Sequence, residues 1–145
     1  TDDGNQRHQG FLSALNDNNV NIPEELIFKG DYTYRKGYEG ALSLLKRDLP
    51  FTALFCGNDQ SAMSAISAIT NNGLEVPNDI SVMGYDDMNI ARYTSPPLTT
   101  VRIPFNRMAI SATRRLLNLC YNFELNIAYD FPIQLIERRS VKNIG

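Results

Sequence analysis

Short apolar runs alternate along this chain with longer segments whose spacing of apolar positions suits a helix. Residues 51–56 and 80–83 are short, mostly apolar runs, which is typical of strands that are buried on both faces of a parallel sheet. Between them, residues 59–72 are largely small and are followed by Gly73 and Pro77, which predicts a helix that ends there. This succession of strand, helix and strand predicts βαβ crossovers and an α/β fold with a parallel sheet.

The remaining elements follow from the same patterns. A helix is expected from Asp2 or Asp3, either of which can cap it, to about residue 18. Further strands are predicted at residues 25–29, 98–102 and 131–138, and further helices at residues 33–46 and 104–120. The opening helix has no strand before it to form a βα unit. We therefore expect the chain to be a fragment of a longer domain.

Composition narrows the class of protein. The chain has 145 residues, of which 43% are hydrophobic and 21% are charged, as in an ordinary globular protein that buries a core. Its apolar runs are much shorter than the roughly 20 residues of a membrane span, and no signal-peptide pattern opens the sequence. The 14 basic and 16 acidic residues include no basic run. We therefore expect no contact with a membrane, and contact with DNA only through residues outside this chain.

The cysteines and the single histidine argue against metal and catalytic chemistry. Cys56 and Cys120 lack metal-ligand spacing, so neither a metal nor another cofactor is expected, and the usage suits the reducing cytoplasm. The motifs of serine hydrolases, P-loop proteins, dinucleotide-binding proteins and zinc proteases are absent, and His8 has no evident acid–base partner. Asp86 and Asp87 are adjacent and would point apart in an extended segment, unlike a glycosidase pair. We expect no catalytic residues.

Four polar or aromatic residues are expected at one edge of the sheet. Arg7 lies early in the first helix, and Tyr32, Asn58 and Asp86 each follow a predicted strand. The crevice beyond the carboxyl ends of parallel strands is where such folds bind ligands. An arginine fork, an aspartate and an amide can hydrogen-bond hydroxyl groups, and a tyrosine ring can pack on a sugar. The four residues together predict a site for a polar, uncharged, hydroxylated ligand.

Each of these residues also has a simpler interpretation. Asn58 or Asp59 can be a plain helix cap, and Asp86 or Asp87 can be a turn former. Tyr32 can be ordinary loop packing, and Arg7 can be a solvated surface charge. Their shared position at one edge of the sheet favours the binding interpretation.

Several motifs resemble the C-terminal half of the effector-binding domain of the lactose/galactose repressor family. They are RHQGFLSAL at residues 7–15, GND at 57–59, VPNDISVMGYDD at 76–87, YTSPPLTTV at 93–101 and LIERRSV at 135–141. The run IARYTSPPLTTVRIP and the tail most resemble the galactose operon repressor branch. The resemblance implies a periplasmic-binding-protein type I fold, in which two lobes close around an effector. It also implies a bacterial transcriptional repressor of sugar-utilisation genes.

The resemblance assigns roles to residues of this chain. It places effector contacts at Arg7, Tyr32, Asn58 and Asp86, and a hinge strand at Leu98, Thr99, Thr100 and Val101. Residues 1–97 would form the C-terminal lobe, residues 98–130 the hinge strand and a helix of the N-terminal lobe, and residues 131–145 the return strand and tail. A homodimer is implied, with interface residues at Ala62, Met63, Ile66, Ile90 and Tyr93, although Met63 and Ile66 could instead face their own sheet.

The implied partners are a monosaccharide such as galactose and operator DNA, the latter contacted by an N-terminal helix-turn-helix that this sequence lacks. A periplasmic sugar-binding protein of a transport system is the main alternative function. A sugar hydrolase is a more distant one. A helix-turn-helix or a signal peptide encoded upstream of residue 1 would separate the first two.

Overall fold

The computed structural model describes residues 2–144, which form four α-helices and four β-strands. Two short 3-10 helices, Glu24–Leu26 and Asn89–Tyr93, lie in the connections. The helices are α1 (Asp2–Asp17), α2 (Tyr34–Leu45), α3 (Asp59–Asn71) and α4 (Phe105–Tyr121), and the strands are β1 (Ala53–Phe55), β2 (Ser81–Asp86), β3 (Thr99–Arg102) and β4 (Gln134–Ile136). None of the helices within residues 2–144 is both long and apolar enough to span a bilayer.

The strands form one sheet in the order β1-β2-β3-β4. The β1–β2 and β2–β3 pairs are parallel, with Ala53 opposite Ser81 and Met83 opposite Thr99. The last pair, β3–β4, is antiparallel, with Val101 opposite Leu135. The predicted α/β fold with a predominantly parallel sheet is confirmed, and α3 is the crossover between β1 and β2.

The core lies between α3 and the sheet. Ile69 of α3, Val82 of β2 and Leu98 just before β3 are completely buried. Helix α2 packs on the other side of α3, and Gly37 makes this possible: a Cβ atom there would lie 2.5 Å from the Cα of Ser61. The small residues noted in α3 thus allow a sheet and a second helix to approach it closely.

Ser140, in the C-terminal segment after β4, hydrogen-bonds to β2 at Val82, one residue before the pairing of β2 with β3 begins. Ser140 is completely buried, and its main-chain carbonyl accepts a hydrogen bond of 2.7 Å from the Val82 amide. Its hydroxyl donates to the Val82 carbonyl at 2.6 Å and accepts from the Thr99 amide at 2.8 Å. One serine therefore satisfies three backbone groups that a neighbouring strand would otherwise pair.

Helix α4 is amphipathic but buries little of itself in the described part of the chain. Ser111 is its only buried residue, and its hydroxyl accepts a hydrogen bond from the Ala128 amide at 3.2 Å. Large apolar side chains along it are exposed, namely Phe105, Met108, Ile110, Leu116 and Leu119. The helix thus presents an apolar surface that the rest of residues 2–144 does not cover.

One predicted strand is wrong. Residues 25–29 form no strand. The carbonyls of Pro23 and Glu24 accept hydrogen bonds from the amides of Leu26 and Ile27, which makes a 3-10 turn. Ile27 then has an extended backbone but is not part of the sheet. The ring of Phe28 instead packs on α2, so closely that a Cβ atom at Gly40 would lie 2.6 Å from it. The apolar residues that suggested a strand therefore serve to pack a loop against a helix.

The predicted dimer residues divide into two groups. Ala62 and Ile66 are buried in this chain's own core, so the prediction that they contact a partner is wrong. Met63 also packs against that core and is partly buried, whereas Ile90 and Tyr93 are exposed. Because both faces of α3 are apolar or small, the sequence did not distinguish its core face from an outer face.

Candidate functional site

A cavity of about 280 Å³ opens where the carboxyl ends of the strands meet the first turns of α1 and α3. The residues that line it are Asp3, Arg7, Tyr32, Asn58 and Asp86. All four residues predicted at this edge therefore lie around one cavity. The structure brings them together from the α1 helix, the loop before α2, the N-terminus of α3 and the end of β2. Their role in ligand binding stays a prediction.

Arg7 is held by a carbonyl and an aromatic ring. Its Nη1 atom donates a hydrogen bond of 2.7 Å to the main-chain oxygen of Gly57. Its guanidinium carbon lies 4.3 Å from the centre of the Tyr85 ring and 5.7 Å from that of Tyr32. Both distances are within the range of cation–π attraction. The arginine is therefore fixed at the cavity wall and is not a freely solvated surface charge.

Asn58 serves the fold and the cavity at once. Its Oδ1 atom accepts a hydrogen bond from the Ser61 amide at 2.9 Å, so the simple interpretation as the N-cap of α3 is also correct. Its Nδ2 atom donates to the Tyr32 carbonyl at 2.9 Å. Tyr32 has a φ of 68°, which is unusual for a residue with a side chain, and this bond helps to hold it there. Asn58 therefore fixes the position of a second residue of the cavity.

Asp86 ends β2 with a strained backbone. Its φ is 118°, and Asp87 follows with a φ of 53°. Such conformations cost energy and concentrate at functional sites. Burial raises the pKa of the Asp86 carboxyl, the nearby Arg7 guanidinium lowers it, and the charge of Asp59 raises it further. The cavity thus contains a carboxylate that is partly removed from water and faces a cation.

Asp87 turns away from the cavity and forms two ion pairs. Its Oδ2 atom accepts from Arg102 Nε at 2.6 Å, and its Oδ1 atom accepts from Arg138 Nη2 at 2.5 Å. Burial opposes ionisation, but the hydrogen bonds from Arg138 and Arg102 outweigh it and hold the pKa of Asp87 below its usual value. Adjacent aspartates thus have separate tasks, one at the cavity and one joining β2 to β3 and the C-terminal segment.

Two residues of the site were missed from the sequence. Asp3 lines the cavity and stands one helical turn before Arg7, a spacing that could have identified it. Tyr85 packs on Arg7, although strand alternation would place it on the face opposite Asp86. The positive φ of Asp86 breaks that alternation, and the sequence gives no sign of it.

No group of three or more potential metal ligands comes together within the described residues. Cys56 is buried, and burial, aided by the charge of Asp59, raises the pKa of its thiol to about 12. The thiol is therefore protonated at neutral pH and is a poor nucleophile. The chemistry available at the cavity is that of hydrogen bonds, charges and aromatic faces.

Comparison with known proteins gives consistent results. The sequence profile of the periplasmic binding protein-like domain matches residues 1–141. The transcriptional repressor PurR of Photorhabdus laumondii is 43% identical over 139 residues, which are 95% of this chain and 41% of that protein. This chain therefore spans well under half the length of that relative.

Two solved structures are similar over almost the whole chain. A sugar-binding regulator of the LacI family from Escherichia coli, complexed with phosphate, superposes with a TM-score of 0.85 at 36% identity, covering 93% of this chain and 49% of that one. A LacI-family regulator from Lactobacillus casei with bound glucose gives a TM-score of 0.84 at 29% identity, covering 95% and 50%. The chain belongs to the periplasmic binding protein-like domain family, in the form found as the effector-binding domain of LacI-family regulators.

Proposed function

We propose that this chain binds a small hydroxylated effector for a transcriptional repressor of sugar-utilisation genes, and that the effector is a monosaccharide such as galactose. The observation that carries the proposal is the meeting of Arg7, Tyr32, Asn58 and Asp86 around one cavity. The four residues come from separate parts of the chain, and the fold alone does not require polar groups at all four positions.

The chemistry of the cavity favours a ligand that both donates and accepts hydrogen bonds. Asp3 and Asp86 supply carboxylate acceptors, while Arg7 and Asn58 keep N–H donors beyond the one that each gives to Gly57 and to Tyr32. Sugar hydroxyl groups donate well to carboxylates, and the Tyr32 ring offers a face on which a sugar ring can pack. The glucose bound to the Lactobacillus casei regulator supports this class of ligand. The specific link to galactose rests on the motif resemblance alone. The similar proteins include PurR repressors, so similarity to them does not favour galactose over other effectors.

The second lobe and the hinge form part of the proposal. We infer that residues 98–130 comprise a hinge strand, which stays paired with β2, and a helix of the second lobe, and that residues 131–145 return to the lobe formed by residues 1–97. The exposed apolar side chains of α4 support this division, because a helix of this kind needs a partner surface. Leu98, Thr99, Thr100 and Val101 would then form the hinge. The first three are buried, Leu98 just before β3 and the two threonines within it.

The proposed assembly is a homodimer that binds operator DNA through a helix-turn-helix elsewhere in the protein, in the cytoplasm. Met63, Ile90 and Tyr93 are the remaining candidates for the dimer contact, and Tyr93 is 76% exposed. The effector acts by favouring one closure of the lobes, which changes the spacing of the DNA-binding heads. No catalysis is part of this function. A sugar-binding protein of a transport system remains the second candidate, supported by the family's fold alone.

Calorimetric titration of the full-length protein tests the proposal. The panel is D-galactose, D-glucose, cellobiose and hypoxanthine, the last as a planar heterocycle that could stack on Tyr32. We expect a sugar to bind and the Arg7→Ala and Asp86→Ala variants to lose at least tenfold in affinity, as for hydrogen bonds to charged groups. The exposed Arg92→Ala and Asp17→Ala variants are the matched controls. Unchanged sugar affinity in both cavity variants would refute the site.

A further inference from the structure

The carboxylate of Asp59 is the most deeply buried charged group that the proposed ligand contacts do not use. It follows Asn58 in the first turn of α3 and is completely inaccessible to solvent. Its Oδ2 atom accepts a hydrogen bond from the Met88 amide at 2.7 Å, and its Oδ1 atom accepts one from the Thr100 hydroxyl at 2.5 Å. Gly84 provides the space for this carboxylate, since a Cβ atom at position 84 would collide with Asp59 Oδ1.

Thr100 extends this arrangement to a second backbone amide. Its Oγ1 atom donates to Asp59 and accepts from the Asp87 amide at 3.3 Å. The amides of Asp87 and Met88 are consecutive, and both come directly after Asp86. One aspartate and one threonine therefore hold the two peptide groups that follow the cavity carboxylate.

These bonds act on the segment whose backbone is strained. Asp86 and Asp87 both have positive φ values, which are uncommon for residues with side chains, and the φ of 118° at Asp86 lies outside the left-handed helical region that aspartate tolerates. Without the two anchored amides, the chain would relax toward the extended conformation of β2. In a regular extended strand, residue 86 would point away from its present direction.

We propose that Asp59 and Thr100 are positioning residues, which hold Asp86 in the conformation that presents its carboxylate to the effector. The inference rests on the proposed function, because it assumes that Asp86 contacts the ligand. Thr100 also belongs to the predicted hinge strand, so the same pair joins the effector-binding segment to β3.

The energetics of Asp59 agree with such a task. Burial raises the pKa of Asp59, and the hydrogen bonds from Thr100 and Met88 oppose that rise. A buried carboxylate costs more than an apolar residue of similar size would. Its presence at the centre of this hydrogen-bond group therefore indicates a requirement for acceptors at this position.

The decisive comparison is between two variants of Thr100 in the full-length protein. Thr100→Val keeps the shape but removes the hydroxyl, whereas Thr100→Ser keeps the hydroxyl and removes a methyl group. We expect Thr100→Val to bind D-galactose at least tenfold more weakly and Thr100→Ser to stay within threefold of the parent. Thr70→Val, which removes an exposed hydroxyl from α3, is the control for the substitution itself. If Thr100→Ser lost as much as Thr100→Val, packing and not the hydroxyl would be responsible.

Hydrogen–deuterium exchange gives a readout that needs no ligand. The amide of residue 87, which donates to the Thr100 hydroxyl, should exchange at least tenfold faster in Thr100→Val than in Thr100→Ser. Equal exchange rates would overturn the proposed anchoring even if the sugar titration failed. Faster exchange in a protein that binds no sugar would preserve the anchoring and refute the proposed effector instead.

A double-substitution cycle separates positioning from general weakening. Asp59→Asn should lower D-galactose affinity at least tenfold in the parent, but less than threefold in the Asp86→Ala background, where no carboxylate is left to position. Equal losses in both backgrounds would show that Asp59 acts independently of Asp86. The Thr100 pair decides the question if Asp59→Asn does not fold.

Discussion

The guanidinium carbon of Arg7 lies 4.3 Å from the centre of the Tyr85 ring, so the one cation among the described residues that line the cavity is held against an aromatic face. The guanidinium also donates a hydrogen bond to the main-chain oxygen of Gly57, which fixes its position relative to the end of β1. Two independent contacts therefore determine where the positive charge stands relative to Asp86. A ligand meets an arginine that is already in place, which reduces the entropy lost on binding.

Replacing Tyr85 with leucine should weaken effector binding. Loss of the aromatic face removes a cation–π contact of about 0.5–2 kcal/mol that holds Arg7 in place, so affinity should fall by up to about thirtyfold. Tyr85→Phe keeps the ring and should bind within about twofold of the parent. Calorimetric titration of both variants with the same sugar makes the comparison. Equal losses in the two variants would assign the effect to the tyrosine hydroxyl and not to the ring.

Replacing Gly37 with alanine should destabilise the fold. The new Cβ atom would meet the Ser61 backbone at 2.5 Å, and backbone atoms in a packed helix pair cannot move aside cheaply. We expect the free energy of unfolding to fall by about 1–3 kcal/mol. Gly10→Ala is the matched control, because α1 leaves open space there and alanine favours a helix by about 0.5–1 kcal/mol. Urea denaturation should give changes of opposite sign for the two variants.

Asp87 should make the stability depend on pH in the acid range. The pKa of Asp87 is lower in the folded protein than in the unfolded chain, where it is about 4. The ionised carboxylate therefore stabilises the fold fully above about pH 4, and this contribution is lost as the pH falls through the pKa of the folded state. Asp87→Asn leaves Arg138 without its carboxylate in a mostly buried position, at a cost of about 3 kcal/mol at pH 7. Urea denaturation should show this difference shrinking below about pH 4. A difference that stayed constant down to pH 2 would contradict the ion-pair explanation.

The sequence was most informative where geometry follows from chain order alone. Parallel strands end at one edge of the sheet, so Asn58 and Asp86 could be placed together with no knowledge of packing. The helix caps and crossovers are local too, and α3 begins at its predicted first residue, Asp59. These features depend on residues that are close in sequence or on a topological rule.

Features that depend on distant partners were not predictable. Residues 25–29 have the composition of a strand, yet a strand exists only where a neighbour offers hydrogen bonds, and Phe28 packs on α2 instead. Met63 and Ile66 could have faced either a partner or their own sheet. Asp59 adjoins a predicted site residue, but its bonds to Met88 and Thr100 join positions 29 and 41 residues away.

Ser140 provides a test of the least predictable part of the fold. Its hydroxyl bridges the Val82 carbonyl and the Thr99 amide inside the sheet, and the side chain is completely buried. Ser140→Ala would leave both groups without that partner, at a cost of about 1–3 kcal/mol for each. We expect the free energy of unfolding to fall by about 2–6 kcal/mol in urea denaturation. Ser67→Ala, an exposed change in α3, should alter it by less than about 0.5 kcal/mol. A similarly small effect at Ser140 would mean that water or the main chain replaces the hydroxyl, and that the C-terminal segment is not an integral part of the sheet.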